Sequence, residues 1–459
     1  MRSVSSIADA VADAATTFSG QFLEPTDAGY EEARRVHNGL VDKRPALIAR
    51  CCGVADVVDA VNLTRKLGLE VAVRGGGHNV AGRATVDGGL VIDLTLMKGI
   101  HVDPKNRTVR AQGGVTWAEL NRETQLHGLA VTGGVVSSTG IAGLTLGGGV
   151  GWLMGKHGLA LDNLRSVQIV TAEGKTLQAS KDEEPDLFWA VRGGGGNFGV
   201  ITSFEFQLHP VGPMVTGGVI AHPFDRARDL LRFFRDCTVS LPDEHTIFGG
   251  LIHAPDRSGT KLAVMVTCHC GSLGAGEKAL RTLKQFGSPV MDALDPMPYC
   301  QLNSMLDPAY PKGALNYWKS SFLKKELSDE AIDTMIECFA RCPTPMGQLL
   351  MEHFHGAATR VPVNDTAFPH RSEGYNFLVL CEWMKQADND RCIAWARETY
   401  AKMEPFFASG RYVNYLGDDE TGEPVAAAYG PNYRRLRQIK AKYDSKNFFR
   451  MNQNVRPLA

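Results

Sequence analysis

The sequence has no excess of either charge. Its 49 lysines and arginines stand against 50 aspartates and glutamates, a formal net charge of −1 over 459 residues. No strongly basic face follows, which argues against nucleic acid as a partner. No apolar run approaches the length of a membrane span, so no membrane partner is expected. The first twenty residues alternate small and polar types without an apolar h-region, so no secretory signal is expected either. Cysteine is sparse: ten residues, at 51, 52, 237, 268, 270, 300, 338, 342, 381 and 392, without the spacing of a disulfide scaffold. Cys268-His269-Cys270 suggests a metal, but Leu262–Thr267 before it reads as a strand whose alternate residues are core. Zinc is therefore discounted and no metal is expected. Together these features point to a soluble, reduced, cytoplasmic protein, monomeric or homodimeric. The P-loop signature is missing, and so is an N-terminal Rossmann fingerprint. Any nucleotide must be held in another way.

Glycine is what the chain has in concentrated form. The alternating run Leu69 to Val73 reads as a strand and enters Arg74-Gly75-Gly76-Gly77-His78-Asn79. Such glycines bring backbone N–H groups close to an anion without a Cβ in the way. Arg74 adds a guanidinium to the same spot. A histidine at the end of such a loop can be a base, a ligand or a covalent anchor. Alone, the stretch is equally a plain turn with a surface histidine. Gly133–Gly151 carries eight glycines in 19 positions. Arg192-Gly-Gly-Gly-Gly-Asn197-Phe198-Gly199-Val200-Ile201 repeats the theme. Three such loops, each beside a β-type run, suggest one large phosphate-bearing cofactor held along its length.

The chain is long enough for two to three domains. Residues 7–18 look helical. Pro45–Arg50, the amphipathic helix Val54–Leu67 and the strand Leu69–Val73 form a β-α-β unit. Strands follow at Leu90–Leu94, His101–Asp103 and Thr108–Ala111, then a helix over Thr116–His127. Ser166–Thr171 and Thr176–Ala179 make a hairpin, and Val200–Leu208 closes the first lobe. From Met214 the glycine loops vanish. Helices are expected over Arg226–Cys237, Ala275–Phe286 and Asp329–Arg341. Strands are expected at Thr246–Ile252, Leu262–Cys268, Leu349–His355, Asn376–Glu382 and Gly410–Tyr415, and a final helix at Tyr429–Tyr443. The second lobe thus reads as one antiparallel sheet with helices on one face, and the class as α+β.

The order of Arg74-Gly-Gly-Gly-His78, the Gly133–Gly151 loop, Lys156–Asn163, Asp186–Val200 and Tyr412-Val413-Asn414-Tyr415 resembles the FAD-linked oxidases of the vanillyl-alcohol-oxidase superfamily. Within it, the chain is similar to the berberine-bridge-enzyme and 6-hydroxynicotine-oxidase branch, from about Tyr30 to Pro457. The resemblance implies a PCMH-type two-subdomain FAD-binding lobe and a separate substrate lobe. The expected boundaries are 1–43 for an N-terminal helical segment, 44–212 for the FAD lobe, 213–410 for the substrate lobe and 411–459 for a C-terminal return to the FAD lobe.

The resemblance also implies roles. FAD is expected as cofactor, with Arg74, Gly75, Gly76, Gly77, Asn79 and Gly82 around it and His78 bonded to the flavin 8α-methyl. Such a tether withdraws electrons from the isoalloxazine and fixes the ring. Many berberine-bridge-type members add a cysteine tether at the place of Val136. Valine forms no such bond, so a single covalent link is expected. Around it Ser138, Gly140, Gly143, Gly149 and Gly151 are expected to hold the cofactor. Thr139 falls where a valine-sized residue admits O₂ to the flavin edge, and Leu144 faces the ring. Leu159, Asn163, Gly199, Val200 and Ile201 hold the adenine and ribose end. Tyr412 and Asn414 lie beside the isoalloxazine, with Asn452 and Asn454 near. The family's base position, reached after Phe368-Pro369-His370-Arg371, falls at about Leu378, which carries no proton-accepting group. Glu352 and His355 are then the alternative bases, on opposite faces of one strand. The implied activity is hydride removal from a small phenolic, enolic or polyketide-like, or cyclic-amine substrate, with O₂ as acceptor. Bacterial polyketide-tailoring flavoproteins of the enterocin-pathway kind, which are oxygenases, are close. A dehydrogenase of the same fold and a flavin-carrying protein without turnover are the rival readings.

Overall fold

The structure, a computed structural model, describes residues 7–324 and 326–458. Residues 1–6 of the expected N-terminal segment, and Ala459 of the C-terminal one, lie outside it. The first helix is Ile7–Ala14, shorter than expected. A four-stranded sheet follows. Leu47–Arg50 and Val71–Arg74 flank Leu90–Asp93, both parallel to it. The β-α-β unit therefore exists, but its two strands do not touch. The helix between them, Val54–Leu67, ends at Gly68 with φ 67°, the left-handed stop that glycine takes without strain.

A second, five-stranded antiparallel sheet has the order Ile100–Asp103, Thr108–Gln112, Val200–Gln207, Leu164–Val170, Thr176–Ser180. Alternation over the second half of Val200–Gln207 sends Phe204 and Phe206 inward, where they join Trp117, Ile169 and Leu187. Fully burying one such phenylalanine contributes roughly 1.5–3 kcal/mol. Tyr429 and Leu436 belong to the same cluster, so the chain's end packs back on the first lobe.

The second lobe is built on an eight-stranded antiparallel sheet. Its central path runs Met214–Pro223, Lys261–His269, His245–His253, Gln348–Phe354, Gly374–Trp383, Leu315–Phe322. Ala227–Thr238, Asp329–Ala340 and Asn389–Met403 supply Phe234, Phe339 and Trp395, which join Met351, Phe377 and Val379 in one core. The opposite face carries Leu350, Glu352, Leu378 and Leu380, which line a cavity against the glycine loops. Two long strands, Met214–Pro223 and Leu315–Phe322, have no counterpart in the sequence reading, nor do the short Met291–Asp292 and Asp295–Pro298.

Two expected elements need correction. Gly410–Tyr415 is not a strand: the chain is irregular there and ends in a 3₁₀ turn, Val413–Tyr415. The last helix begins at Tyr433, because Gly430 (φ 48°) and Pro431 separate it from a short helix, Glu423–Tyr429. Among the described residues no helix is long and apolar enough to cross a membrane.

Candidate active site

The first two glycine loops meet backbone to backbone. A Cβ on Gly76 would stand 2.5 Å from the Gly140 nitrogen, and one on Gly140 would stand 2.4 Å from the Gly76 nitrogen. Only glycine at both positions permits this approach. A cavity of about 850 Å³ opens beside them and extends between the lobes. Gly75, Gly76, Gly77, His78, Asn79, Val136, Thr139, Gly140, Gly143 and Leu144 line it from the first two loops. Gly199, Ile201 and Asn414 line it as well, and Glu352, Leu378 and Tyr415 come from the far side.

Other expected site residues stand elsewhere. Arg74 does not face the cavity. Its buried guanidinium pairs with Asp93 and reaches the carbonyls of Ala33 and Arg35, so its charge is spent on the fold. Gly82 turns (φ 62°) against Val41, and Gly151 packs on the Gly133 carbonyl. Ser138 is exposed and outside the cavity. Leu159 and Val200 are core residues. Asn163 donates to the carbonyls of His157 and Leu159, and its Oδ1 meets His209 at 2.6 Å. Tyr412 stands behind the loop: its hydroxyl accepts from Gly149 N–H (2.9 Å) and Asn414 Nδ2 (3.0 Å). It braces the loop and does not line the cavity. His355 is on the helix-covered side with His353, their rings stacked 4.9 Å apart, and is withdrawn as a base.

Glu352 is the one candidate base that faces the cavity. It is 4% exposed. Its Oε2 accepts from Asn376 Nδ2 at 2.8 Å and its Oε1 from the Tyr415 hydroxyl at 2.9 Å. Burial pushes its carboxyl up to about 7, and the two hydrogen bonds pull only part of the way back. A carboxyl poised near neutrality can hold or release a proton. Leu378 lines the cavity opposite Leu350, two residues along the ladder from the Glu352–Asn376 pair and on the same face. Glu352 thus puts a carboxyl on the strand beside Leu378, on the cavity side.

His78 lies at the cavity wall with its ring stacked on His37, centroids 3.9 Å apart. Burial, then the neighbouring His37, holds its imidazole down to about 3, so it is neutral. Its Nε2 is buried without a partner, as are Arg83 Nε, Asn452 Oδ1 and Gln453 Oε1 among the cavity residues. Gly143 and Gly196 also line the cavity, and nothing stands within 4 Å of where their Cβ atoms would be. Bare glycine backbone and unsatisfied polar atoms along one elongated cavity fit a flavin nucleotide. Sequence reasoning missed Asn376, Arg83 and His37 and left Tyr415 off the site. Tyr415 had a signal, the Tyr-x-Asn-Tyr segment; the partner of Glu352 had none, because strand register is not written locally.

A lobe of two small sheets bearing glycine loops, joined to an antiparallel sheet across a cavity, defines the PCMH-type FAD oxidoreductase class. Sequence profiles agree: one for an FAD binding domain matches residues 45–180, and one for berberine and berberine-like proteins matches 411–456. The (R)-6-hydroxynicotine oxidase of Paenarthrobacter nicotinovorans is 33% identical over 452 residues, 96% of this chain and 97% of that protein. An FAD-linked oxidoreductase of Dictyostelium discoideum is 31% identical, over 90% of this chain and 89% of its own. Among solved structures, 6-hydroxy-D-nicotine oxidase from Arthrobacter nicotinovorans superposes with TM-score 0.86 at 30% identity, covering 96% of this chain and 99% of that one. The chain belongs to the berberine-bridge-like family of FAD-linked oxidoreductases, and it is an FAD-dependent enzyme.

Proposed function

We propose that this enzyme is an oxidase of a small, largely apolar organic molecule with an acidic or basic hydrogen-bearing group: a phenol, an enol of polyketide type or a cyclic amine. Bound FAD supplies the acceptor for hydride and hands the electrons to O₂. The glycine loops hold the cofactor, and His78 is its single covalent anchor, since Val136 offers no second. Thr139, Leu144 and Asn414 line the cavity where the flavin ring would be held. The observation that carries the reading is Glu352, a near-neutral buried carboxyl facing the cavity. It takes the substrate O–H or N–H proton as hydride leaves the adjacent carbon. Tyr415 and Asn376 fix the carboxylate's orientation and stabilise its ionised form. Phe248, Val266, Leu350, Leu378, Leu380 and Trp318 form the apolar part of the wall, beside the polar Gln301, Tyr310 and Gln348. The apolar part suits a flat ring, whereas a sugar would set hydroxyls against it.

This reading divides the chain at 44–212 and 213–410, with 411–459 returning to the FAD lobe. All ten cysteines are free. Two measurements test it. Acid precipitation of the purified protein is expected to retain the yellow colour in the pellet, and His78→Ala to release it. Anaerobic mixing with phenolic, enolic, cyclic-amine and sugar panels is expected to bleach the flavin with one of the first three classes. Efficient oxidation of a plain sugar overturns the substrate class.

A further inference from the structure

His37 lies before the stretch that the FAD binding domain profile matches, and the proposed chemistry does not use it. Yet its ring covers that of His78, 3.9 Å between centroids and 18° between planes. Its backbone is pinned from both lobes: its N–H donates to the Gly77 carbonyl, and its carbonyl accepts from Gly313 N–H, both at 2.9 Å. The side chain is 7% exposed, and its Nε2, like that of His78, has no partner. A buried imidazole with an unsatisfied nitrogen is costly to keep. In face-to-face rings the nitrogens lie in parallel planes, so neither ring can donate an N–H to the other. The contact is made by the faces.

We propose that His37 is a positioning residue for covalent flavin attachment: its ring is a plate that sets the plane of the His78 imidazole so that the partnerless Nε2 meets the flavin 8α carbon. This rests on the covalent reading above. Attachment forms a nitrogen–carbon bond. One hydrogen leaves the 8α-methyl and one leaves the imidazole, and both pass with two electrons to the flavin ring system. O₂ then removes them as H₂O₂. A ring free to rotate about its Cβ–Cγ bond reaches the attack geometry for only a fraction of the time; a clamped one is held near it.

The experiment uses full-length protein made under riboflavin limitation and mixed with FAD and air. Covalent attachment is followed as flavin fluorescence retained on a denaturing gel, and total FAD as absorbance after desalting. His37→Phe keeps a flat face without ring nitrogens; His37→Leu keeps bulk without a flat face. The expected result is attachment at near wild-type rate in His37→Phe and about tenfold slower in His37→Leu, with FAD bound in both. Equal rates in wild type and His37→Leu overturn the proposal. So does an equally slow His37→Phe, which would assign the effect to the ring nitrogens. Intact FAD released from denatured wild type overturns the covalent reading itself, and this proposal with it. Slow attachment in His37→Leu alone leaves both standing.

Discussion

A carboxylate that accepts two hydrogen bonds ordinarily ionises more easily than a free one. Glu352 ionises less easily, because removal from water outweighs both bonds. Its carboxyl is therefore protonated below about pH 7 and ionised above. As a base it is active only when ionised, so anaerobic flavin reduction by substrate is expected to rise through about pH 7. Glu352→Gln is expected to slow that step roughly 10²–10⁴-fold and to flatten the profile, with FAD retained. An unchanged rate and profile would mean that the substrate sheds its proton unaided. The same residue affects stability in a calculable direction. Its folded pKa lies above the unfolded value, so the folded state binds the extra proton between about pH 4.5 and 7, and stability falls as pH rises through that window. Thr139 is the other residue with a separable effect. Thr139→Leu adds bulk at the cavity wall, and reoxidation of the photoreduced enzyme by O₂ is expected to slow far more than anaerobic reduction. Stopped-flow rates of the two half-reactions decide it.

At the level of elements, the paired glycine loops set the cavity's shape. Gly140 has ordinary backbone angles (φ −68°), so an alanine there meets only the steric obstacle of Gly76. Gly140→Ala is expected to cost about 1–3 kcal/mol with or without FAD, read as a lower melting temperature in both forms. Gly143→Ala meets nothing in the protein and is expected to weaken FAD retention while leaving the FAD-free melting temperature nearly unchanged. These loops were legible because glycine runs beside β-type runs are a local signal. So was the second lobe's sheet, through strand-like runs such as Leu349–His355 and Asn376–Glu382 separated by helical stretches. Two long strands were not. Gly217 and Gly218 interrupt Met214–Pro223, yet they sit there because the Thr267 and Ala293 carbonyls crowd them. Leu315–Phe322 carries the polar Asn316, Lys319, Ser320 and Ser321, of which Lys319 donates to Asp419 and Ser321 accepts from Arg411, both far away in the chain. Gly410–Tyr415 fails in the opposite sense: the residue types suit a strand, but no ladder partner runs beside it. Arg74 looked like a cofactor ligand because Asp93, nineteen residues on, is invisible to a local reading.

The whole molecule depends on contacts that cross the cavity's rim. Asp307, from the second lobe, accepts from the Ser137 N–H at 2.8 Å and from its hydroxyl at 2.5 Å, beside Val136 and Thr139. Asn303 donates to the Gly134 carbonyl at 2.7 Å. Among the described residues, the most buried ion pair between the two lobes is Arg371 with Asp162. The guanidinium is 2% exposed and the carboxylate 10%, and two nitrogens meet two oxygens at 2.8 Å each. Asp162 also accepts from Leu159 N–H in the turn that follows the glycine loop, so the pair ties that turn to the second lobe. Removing one partner of such a pair strands the other charge in a dry site, which costs about 3–5 kcal/mol. Arg371→Ala is expected to lower the melting temperature and to reduce FAD loading, although Arg371 does not line the cavity. Asp162→Ala alone is expected to do the same. The double variant removes both stranded charges and is expected to recover much of the loss, a coupling that denaturation of all four proteins measures directly. If the double variant is as unstable as the sum of the singles, the two side chains act independently, and the link between lobes lies in the Asp307 and Asn303 contacts.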